Sequence, residues 1–225
     1  MMSKQLFKTS IAMRAAATAM LVALALLMPA DVCCAQRGGV ADTFSQQLAV
    51  ARSDYYKSLN GDHDADARAR QEFDLLARQQ PSDAVVMAYQ GSLQLLEAAR
   101  TWAVWNKRKL ADDGLAELDR AIAQDPGNLE ARFVRAASVW HLPFIYKRRQ
   151  QAEEDFLRIG PLAEGAARDG RLPPEIAASA LDYYGQVLLD RKEHQAAEQA
   201  FVAAVRVGPA SPAGKDAARR LHTGG

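Results

Sequence analysis

The chain has 225 residues, of which 49% are hydrophobic and 24% are charged, so it can bury a sizeable core in one or two domains. A formal net charge of +1 indicates no nucleic-acid-binding surface, and two cysteines are too few for a disulfide scaffold or a Cys-rich zinc module. Composition alone therefore indicates a globular protein and no particular activity.

Residues 1–35 have the pattern of a secretory signal peptide. Residues 1–14 carry three basic and no acidic side chains, and residues 15–28 form an uncharged, mostly apolar run. As a helix this run would span about 21 Å, which is short of the roughly 30 Å of a membrane core but suits a signal peptide. The small residues that end at Ala35 predict cleavage there, so that the mature chain begins at Gln36 and is periplasmic or secreted.

Two other forms of the N-terminus stay open. The apolar run could remain uncleaved as a membrane anchor, or Cys33 or Cys34 could carry a lipid, although Asp31 spoils the lipobox before either cysteine. Cleavage after Ala35 would remove both cysteines, and the mature chain could then form no disulfide and no thiolate.

From Asp42 onward the sequence predicts helices and no strands. Ala, Leu, Glu, Gln and Arg dominate, and alternating apolar runs are absent from the sequence. Helix breakers at intervals predict helices of about 15 to 20 residues. These breakers are Asn60, Gly61, Pro81, Pro126, Gly127, Pro143, Pro161, Pro173, Pro174 and Pro209.

One helix pattern recurs four times. A small residue is followed by a bulky one four positions later and by a second apolar residue three positions after that. In three of the four copies a proline follows after five more residues. The copies are Ala69, Phe73, Leu76 and Pro81; Gly114, Leu118, Ala121 and Pro126; Ala152, Phe156 and Ile159; and Ala197, Phe201, Ala204 and Pro209.

This pattern resembles the second helix of the tetratricopeptide repeat (TPR). In the last copy the resemblance extends to the first helix, where Leu181, Tyr184, Gly185 and Leu188 match the family pattern. Successive bulky positions are 45, 38 and 45 residues apart, whereas the family repeats about every 34 residues. The resemblance therefore indicates an irregular array.

The resemblance implies an all-α fold, a right-handed solenoid of stacked antiparallel helical hairpins in which each hairpin buries its apolar face against the next. We expect a domain over residues 36–225 with four such units. Ser211 followed by Pro212 predicts the N-cap of a C-terminal capping helix. The units would cover about residues 42–81, 82–126, 127–161 and 174–209, with the cap at 211–222.

The sequence predicts no catalytic, metal or cofactor site. The four histidines lack the spacing of a helical metal site, and no Gly-x-Ser-x-Gly motif is present. Asp62, Asp64 and Asp66 alternate as in a calcium loop, but Ala67 and Phe73 stand where that loop needs glycine and glutamate. We expect a protein that is not an enzyme, and we interpret the three acids as a solvated turn that caps the next helix.

In TPR proteins the first helix of each hairpin lines a concave surface that binds a partner. The residues of this chain at such positions are Tyr89 and Ser92 in the second unit, Phe133, Ala137, Trp140 and His141 in the third, and Asp182, Tyr183 and Gln186 in the last. The Lys, Arg and Asn residues with which some members hold a C-terminal carboxylate are missing from these positions. The aromatic residues predict an apolar or extended peptide ligand, and the alternative for any one of them is ordinary interhelical core.

The second and third units each contain an insertion that pairs aromatic residues with three consecutive cations. The cations are Lys107, Arg108 and Lys109 in the second unit and Lys147, Arg148 and Arg149 in the third. We expect both clusters at the same end of adjacent hairpins and close together, where they could meet an acidic partner or an anionic lipid headgroup at a membrane surface. The alternative is two solvated helix ends, since cations suit helix C-termini.

These features predict an exported helical-repeat scaffold that binds a protein or peptide partner as an adaptor or assembly factor, without cofactor, metal or nucleic acid. The alternative is a carrier whose long second and third hairpins enclose an apolar molecule or lipid, with the cationic clusters at the mouth. An open groove would expose Trp140 and Tyr183 to solvent, whereas a carrier would enclose its tryptophans.

Overall fold

A computed structural model describes residues 31–223, with the side chains of residues 43–222 except that of Val104. This part of the chain contains nine α-helices and one short 3₁₀ helix, and it contains no strand. The all-α prediction is therefore confirmed. The chain divides into two compact units, residues 1–50 and residues 51–225.

The α-helices are α1 (Asp31–Leu59), α2 (His63–Gln79), α3 (Ala84–Arg100), α4 (Val104–Gln124), α5 (Leu129–Trp140), α6 (Arg149–Arg168), α7 (Pro174–Asp190), α8 (His194–Val207) and α9 (Pro212–Thr223), and the 3₁₀ helix spans Phe144–Tyr146. The predicted signal peptide lies outside the described residues as far as residue 30. The bond after Ala35, where we predict cleavage, falls in the first turns of α1. No helix in the described range is long and apolar enough to cross a membrane.

Four helices are capped at their N-terminus by the side chain of the residue just before them. Asp62 before α2, Asp83 before α3, Asn128 before α5 and Ser211 before α9 each accept a hydrogen bond of 2.9–3.0 Å from the backbone N–H three residues later. Such a cap satisfies one of the N–H groups that have no partner within the helix. The interpretation of Asp62 as a helix cap and of Ser211 as the N-cap of the last helix is confirmed.

Pro161 does not end a helix, contrary to the prediction. It lies inside α6, which continues to Arg168. Proline normally forces the preceding residue out of the helical conformation because its ring meets the Cβ atom of that residue. The preceding residue here is Gly160, which has no Cβ, and the ring is exposed to solvent. The helix ends at Arg168 with Asp169 as its C-cap, just before Gly170, which takes a φ of 70°.

The recurring helix pattern marks the buried face of α2, α4, α6 and α8. The four bulky residues, Phe73, Leu118, Phe156 and Phe201, are at most 3% exposed. The small residue four positions earlier is buried in every copy, which lets a neighbouring helix approach closely. α3 and α4 approach closely, since a Cβ atom on Gly91 would lie 2.8 Å from the carbonyl oxygen of Gly114.

Consecutive helices pack against each other from α2 to α9, and several helices also pack on the next but one. These further pairs are α3 with α5, α5 with α7, α6 with α8 and α7 with α9. The first helices of successive pairs thus lie side by side, which brings residues from α1, α3, α5 and α7 onto one surface.

A chain of ion pairs joins α4, α5 and α6. The buried carboxylate of Asp155 accepts from Arg132 at 2.6 Å and from Arg135 at 2.8 Å. Arg135 also donates to Asp119 of α4 at 3.1 Å, and Asp119 accepts from Arg148 at 2.8 Å. Because both oxygens of Asp155 are occupied, its buried charge is compensated within the network.

Candidate partner-binding surface

A line of hydroxyl groups connects three of the first helices. Ser138 on α5 donates to Ser92 on α3 at 2.8 Å, and the hydroxyl groups of Ser92 and Tyr55 on α1 are 2.7 Å apart. Burial raises the pKa of Tyr55, while its bonds to the serines oppose that rise and Tyr183 on α7 adds to it. These hydrogen bonds therefore tie α1, α3 and α5 together.

Three aromatic residues predicted to line the groove are core residues instead. Tyr89 is fully buried, Phe133 nearly so, and Trp140 is 5% exposed. Tyr89 stacks on Phe73 of α2 with ring centroids 4.7 Å apart, and its hydroxyl donates to Glu130 at 3.0 Å. Burial, with the neighbouring Tyr56 and Glu130, raises the pKa of Tyr89. A bulky ring at an interhelical position fills space that would otherwise be a cavity, so these residues cannot serve as a partner-contacting surface.

Trp140 is covered from three sides. The guanidinium group of Arg149 lies 3.1 Å from the centroid of its ring, and Phe156 and Tyr183 meet the ring edge-on at centroid distances of 5.3 and 5.7 Å. Phe156 and Tyr183 stack nearly parallel at 4.8 Å. The expected exposure of Trp140 is thus wrong, and its ring packs edge-on against Tyr183.

Four of the predicted groove residues keep exposed surface. Ala137, Tyr183 and Gln186 are half-buried, and His141 is exposed. His141, at the end of α5, lies 6.5 Å from Tyr183 between ring centroids, and Gln186 follows Tyr183 by one turn of α7. We call these four residues the exposed strip. Ser92 and Asp182, predicted beside them, are buried below this surface.

Asp182 is a buried acid at the edge of the exposed strip. It accepts from Gln186 at 2.9 Å and from Arg220 of α9 at 3.3 Å. Burial raises the pKa of Asp182, and Arg220 and Gln186 oppose this rise. Burial, with the neighbouring Asp182, also raises the pKa of Tyr183. The C-terminal helix α9 therefore covers one end of the strip.

The sequence did not reveal an ion pair between the first helices α1 and α5. Arg52 of α1 donates to both carboxylate oxygens of Glu130, at 2.6 and 2.5 Å. Glu130 also accepts from Tyr89, so the three groups join α1, α3 and α5. The pair spans 78 residues of sequence, and no local spacing could have indicated it.

The two cationic clusters do not come together. Arg148 binds Asp119 of α4, and Lys107 to Lys109 lie 10 to 12 residues earlier on that helix, a distance of about 15–18 Å along its axis. The clusters also lie at helix N-termini, where the helix dipole disfavours cations, and not at C-termini as the alternative assumed. α4 begins at Val104 without a side-chain cap or an acid in its first turn, and Arg149 is the first residue of α6.

Most of these cations have acidic neighbours. Lys109 pairs with Asp113 at 2.6 Å and Arg108 with Asp112 at 3.7 Å. Arg149 pairs with Glu153 and with Asp190, both at 2.9 Å. Among the described residues, none forms an ion pair with Lys107 or Lys147.

Large apolar side chains beside the clusters are exposed. Trp102 is 88% exposed and Trp105 72%, and in the 3₁₀ helix Phe144 is 87% exposed and Ile145 79%. An open groove along α4 is lined by Trp105, Arg108, Lys109, Asp112 and Asp113. In the described part of the chain, no three His, Cys, Asp or Glu side chains are grouped as they would be around a metal ion.

No model of a known protein family matches this chain, and no curated protein matches it either.

Proposed function

We propose that the chain is an exported, TPR-like scaffold whose first helices bind a protein or peptide partner without catalysis. The packing of α3 on α5, α5 on α7 and α6 on α8 supports a stack of hairpins. The hydroxyl line from Tyr55 to Ser138 supports the side-by-side arrangement of the first helices. The right-handed turn of the stack comes from the family resemblance alone.

The observation that carries this proposal is the exposed strip of Ala137, His141, Tyr183 and Gln186. Tyr183 stacks on Phe156, and Gln186 donates to Asp182, so these two side chains lose little conformational entropy when a partner binds. Tyrosine in such a position combines apolar contact area with a hydroxyl group that can accept or donate a hydrogen bond. The strip suits an extended peptide segment that places apolar side chains against Tyr183 and polar backbone groups near Gln186.

A photo-crosslinker tests this assignment in the cells that produce the protein. We would place p-benzoylphenylalanine at His141 or Gln186, and as a matched control at Val202, an exposed residue of α8. The expected result is the same protein adduct from both strip positions and no such adduct from Val202. Adduct formation at Val202 alone, or at none of the three positions, would contradict a partner-binding strip.

The carrier alternative makes a different prediction for the same sample. Lipids and small molecules would be extracted from the purified, uncrosslinked protein and analysed by mass spectrometry. A stoichiometric apolar ligand without any protein adduct at His141 or Gln186 would favour the carrier.

A further inference from the structure

The connection between α3 and α4 combines two exposed tryptophans with basic residues, of which Arg100 pairs with Asp66 and Lys107 with no described residue. Residues 98–111 contain four cations and two tryptophans but no acid. Trp102 and Trp105 are among the most exposed side chains of the described residues, at 88% and 72%. Two exposed tryptophans leave a large apolar surface in contact with water, and burying them against the protein would be more favourable.

The cations of this connection are also placed against the helix dipole. Lys107, Arg108 and Lys109 directly follow the first turn of α4, whose unpaired N–H groups carry a partial positive charge. Lys107 forms no ion pair with any described residue. Arg108 and Lys109 are compensated by exposed ion pairs with Asp112 and Asp113, so of the three cations it is Lys107 that the described part of the fold leaves uncompensated. A local choice that opposes stability without compensation is typical of a functional surface.

The hairpin of α3 and α4 also extends further than its neighbour. Arg135 of α5 donates to Asp119 of α4, so these two residues lie at the same height along the two antiparallel helices. From there α4 continues toward Val104 for about 22 Å, whereas α5 continues to Trp140 for only about 8 Å. The tryptophans and cations therefore project beyond the end of α5, while Arg100 is bonded to Ser58 and Asp66 beside the turn between α1 and α2. We call this segment the α3–α4 tip (residues 100–109).

The opposite end of these helices has the opposite character. There the connections before α3 and after α4 lie next to each other around one shallow pocket, which Asp83 and Asp125 help to line. The tip is thus basic and apolar, and the other end of the same hairpin is acidic and polar. Such a distribution of charge orients a molecule with its basic end toward a negatively charged surface.

We propose that the α3–α4 tip docks on an anionic membrane surface. Trp102 and Trp105 would enter the boundary between headgroups and acyl chains, which tryptophan prefers, and Lys107 to Lys109 would lie among the anionic headgroups. By the same helix lengths, the tip extends about 14 Å beyond the end of α5, where His141 of the exposed strip lies. This proposal does not depend on the identity or existence of a protein partner.

Quenching of tryptophan fluorescence by brominated lipids tests the docking directly. The full chain would be mixed with vesicles of two parts phosphatidylcholine to one part phosphatidylglycerol, with bromine on the acyl chains. We expect a blue shift and strong quenching from Trp102 and Trp105, because these rings would contact lipid. Trp140 is shielded by Arg149, Phe156 and Tyr183 and serves as an unquenched internal reference. The quenching should vanish in pure phosphatidylcholine vesicles and weaken as salt is raised.

Two double variants distinguish membrane binding by the tip from nonspecific hydrophobic adsorption. Each variant removes two highly exposed apolar side chains. Trp102→Ser with Trp105→Ser should weaken vesicle affinity about tenfold or more in a flotation assay. Phe144→Ser with Ile145→Ser, on the connection after α5, should leave affinity within about twofold, since α5 ends about 14 Å short of the start of α4. All four residues are exposed, so circular dichroism should show wild-type folding for both variants.

Absence of tryptophan quenching in the anionic vesicles would overturn the proposal, whatever the flotation result, because residues 1–35 could bind lipid by themselves. Equal effects of the two double variants would overturn it as well. A protein adduct from p-benzoylphenylalanine at Trp105, without lipid quenching, would assign the tip to a protein partner instead.

Discussion

Two buried aspartates, Asp54 and Asp182, have environments that shift their pKa values in opposite directions. Asp54 accepts from Arg68 at 2.9 Å and from Lys57 at 3.1 Å, and these bonds lower its pKa below the ordinary value of 3.8. Burial raises the pKa of Asp182, and the opposing effects of Arg220 and Gln186 are too small to cancel it. The two residues therefore contribute to stability in opposite ways as pH changes.

We expect Asp54→Asn to lower the free energy of unfolding near pH 7 more than it does near pH 3. The pKa of Asp54 is depressed in the folded state, so its stabilising effect is present above 3.8 and is lost as pH falls through the folded-state pKa. Urea denaturation at about pH 7 and about pH 3 measures the difference. A deficit that does not change with pH would show that the Arg68 and Lys57 contacts do not act on the Asp54 charge.

Asp182→Asn should show the opposite pH dependence. The folded-state pKa of Asp182 is raised, so wild-type stability is lost as pH rises through that pKa, and the variant escapes this loss. Relative to wild type, the variant should become more stable between about pH 3 and about pH 7 in the same urea experiment. A relative loss over that interval would mean that Arg220 outweighs the cost of burying the carboxylate.

At the scale of elements, the packing of α6 on α7 depends on a missing side chain. Tyr184 of α7 lies directly against Gly160 of α6, where a Cβ atom would overlap its ring. Gly165, one turn and a half further along α6, has no atom within 4 Å of such a Cβ position. The two glycines thus have different roles within one helix.

Gly160→Ala should lower stability by about 1–3 kcal/mol, because Tyr184 or α6 must move to accept the methyl group. Gly165→Ala is the matched control and should be neutral or stabilising by up to about 1 kcal/mol through helix propensity. Thermal or urea denaturation of both variants measures the contrast. Equal stabilities would show that Tyr184 can leave Gly160 at no cost.

The hairpin of α5 and α6 is held by a buried acid. Asp155→Asn should cost about 3–5 kcal/mol of stability, because Arg132 would keep its buried charge with only a neutral partner. Asp113→Asn, which removes an exposed partner of Lys109, should cause no measurable change in urea denaturation. If both variants were equally stable, the Arg132–Asp155 pair would contribute no more than a surface ion pair.

At the scale of the whole molecule, the export prediction concerns a different part of the chain from the partner surface. Mass spectrometry of the protein from the exported fraction should find Gln36 as its first residue. Ala35→Arg should block this cleavage and leave the larger precursor, because signal peptidase needs a small residue at that position. Ser10→Arg, a charge added within the basic N-terminal segment, is the control and should be processed normally. An unprocessed wild-type chain would favour the membrane-anchor alternative.

The sequence was sufficient for the helical class, for most helix ends and for the buried face of each second helix. These features are local: apolar spacing selects one helix face, and caps such as Asp62 and Ser211 act within three residues. Pro161 is the exception among the breakers, since the tolerance of a proline inside α6 depends on its neighbour Gly160 and on its solvent-exposed position. For the candidate surface, sequence reasoning placed His141, Tyr183 and Gln186 at exposed or half-buried positions but included buried rings with them.

Only the tertiary structure decided which aromatic residues are core and which cations are paired. Tyr89 and Trp140 have the same spacing as surface residues of a first helix, and they are buried because rings from α2, α6 and α7 close over them. Lys107 and Arg148 belong to similar basic triplets, but Arg148 meets Asp119 across a helix interface while Lys107 projects at the tip. Local periodicity determines helices because their hydrogen bonds span four residues, whereas burial and charge pairing depend on contacts between residues far apart in the chain.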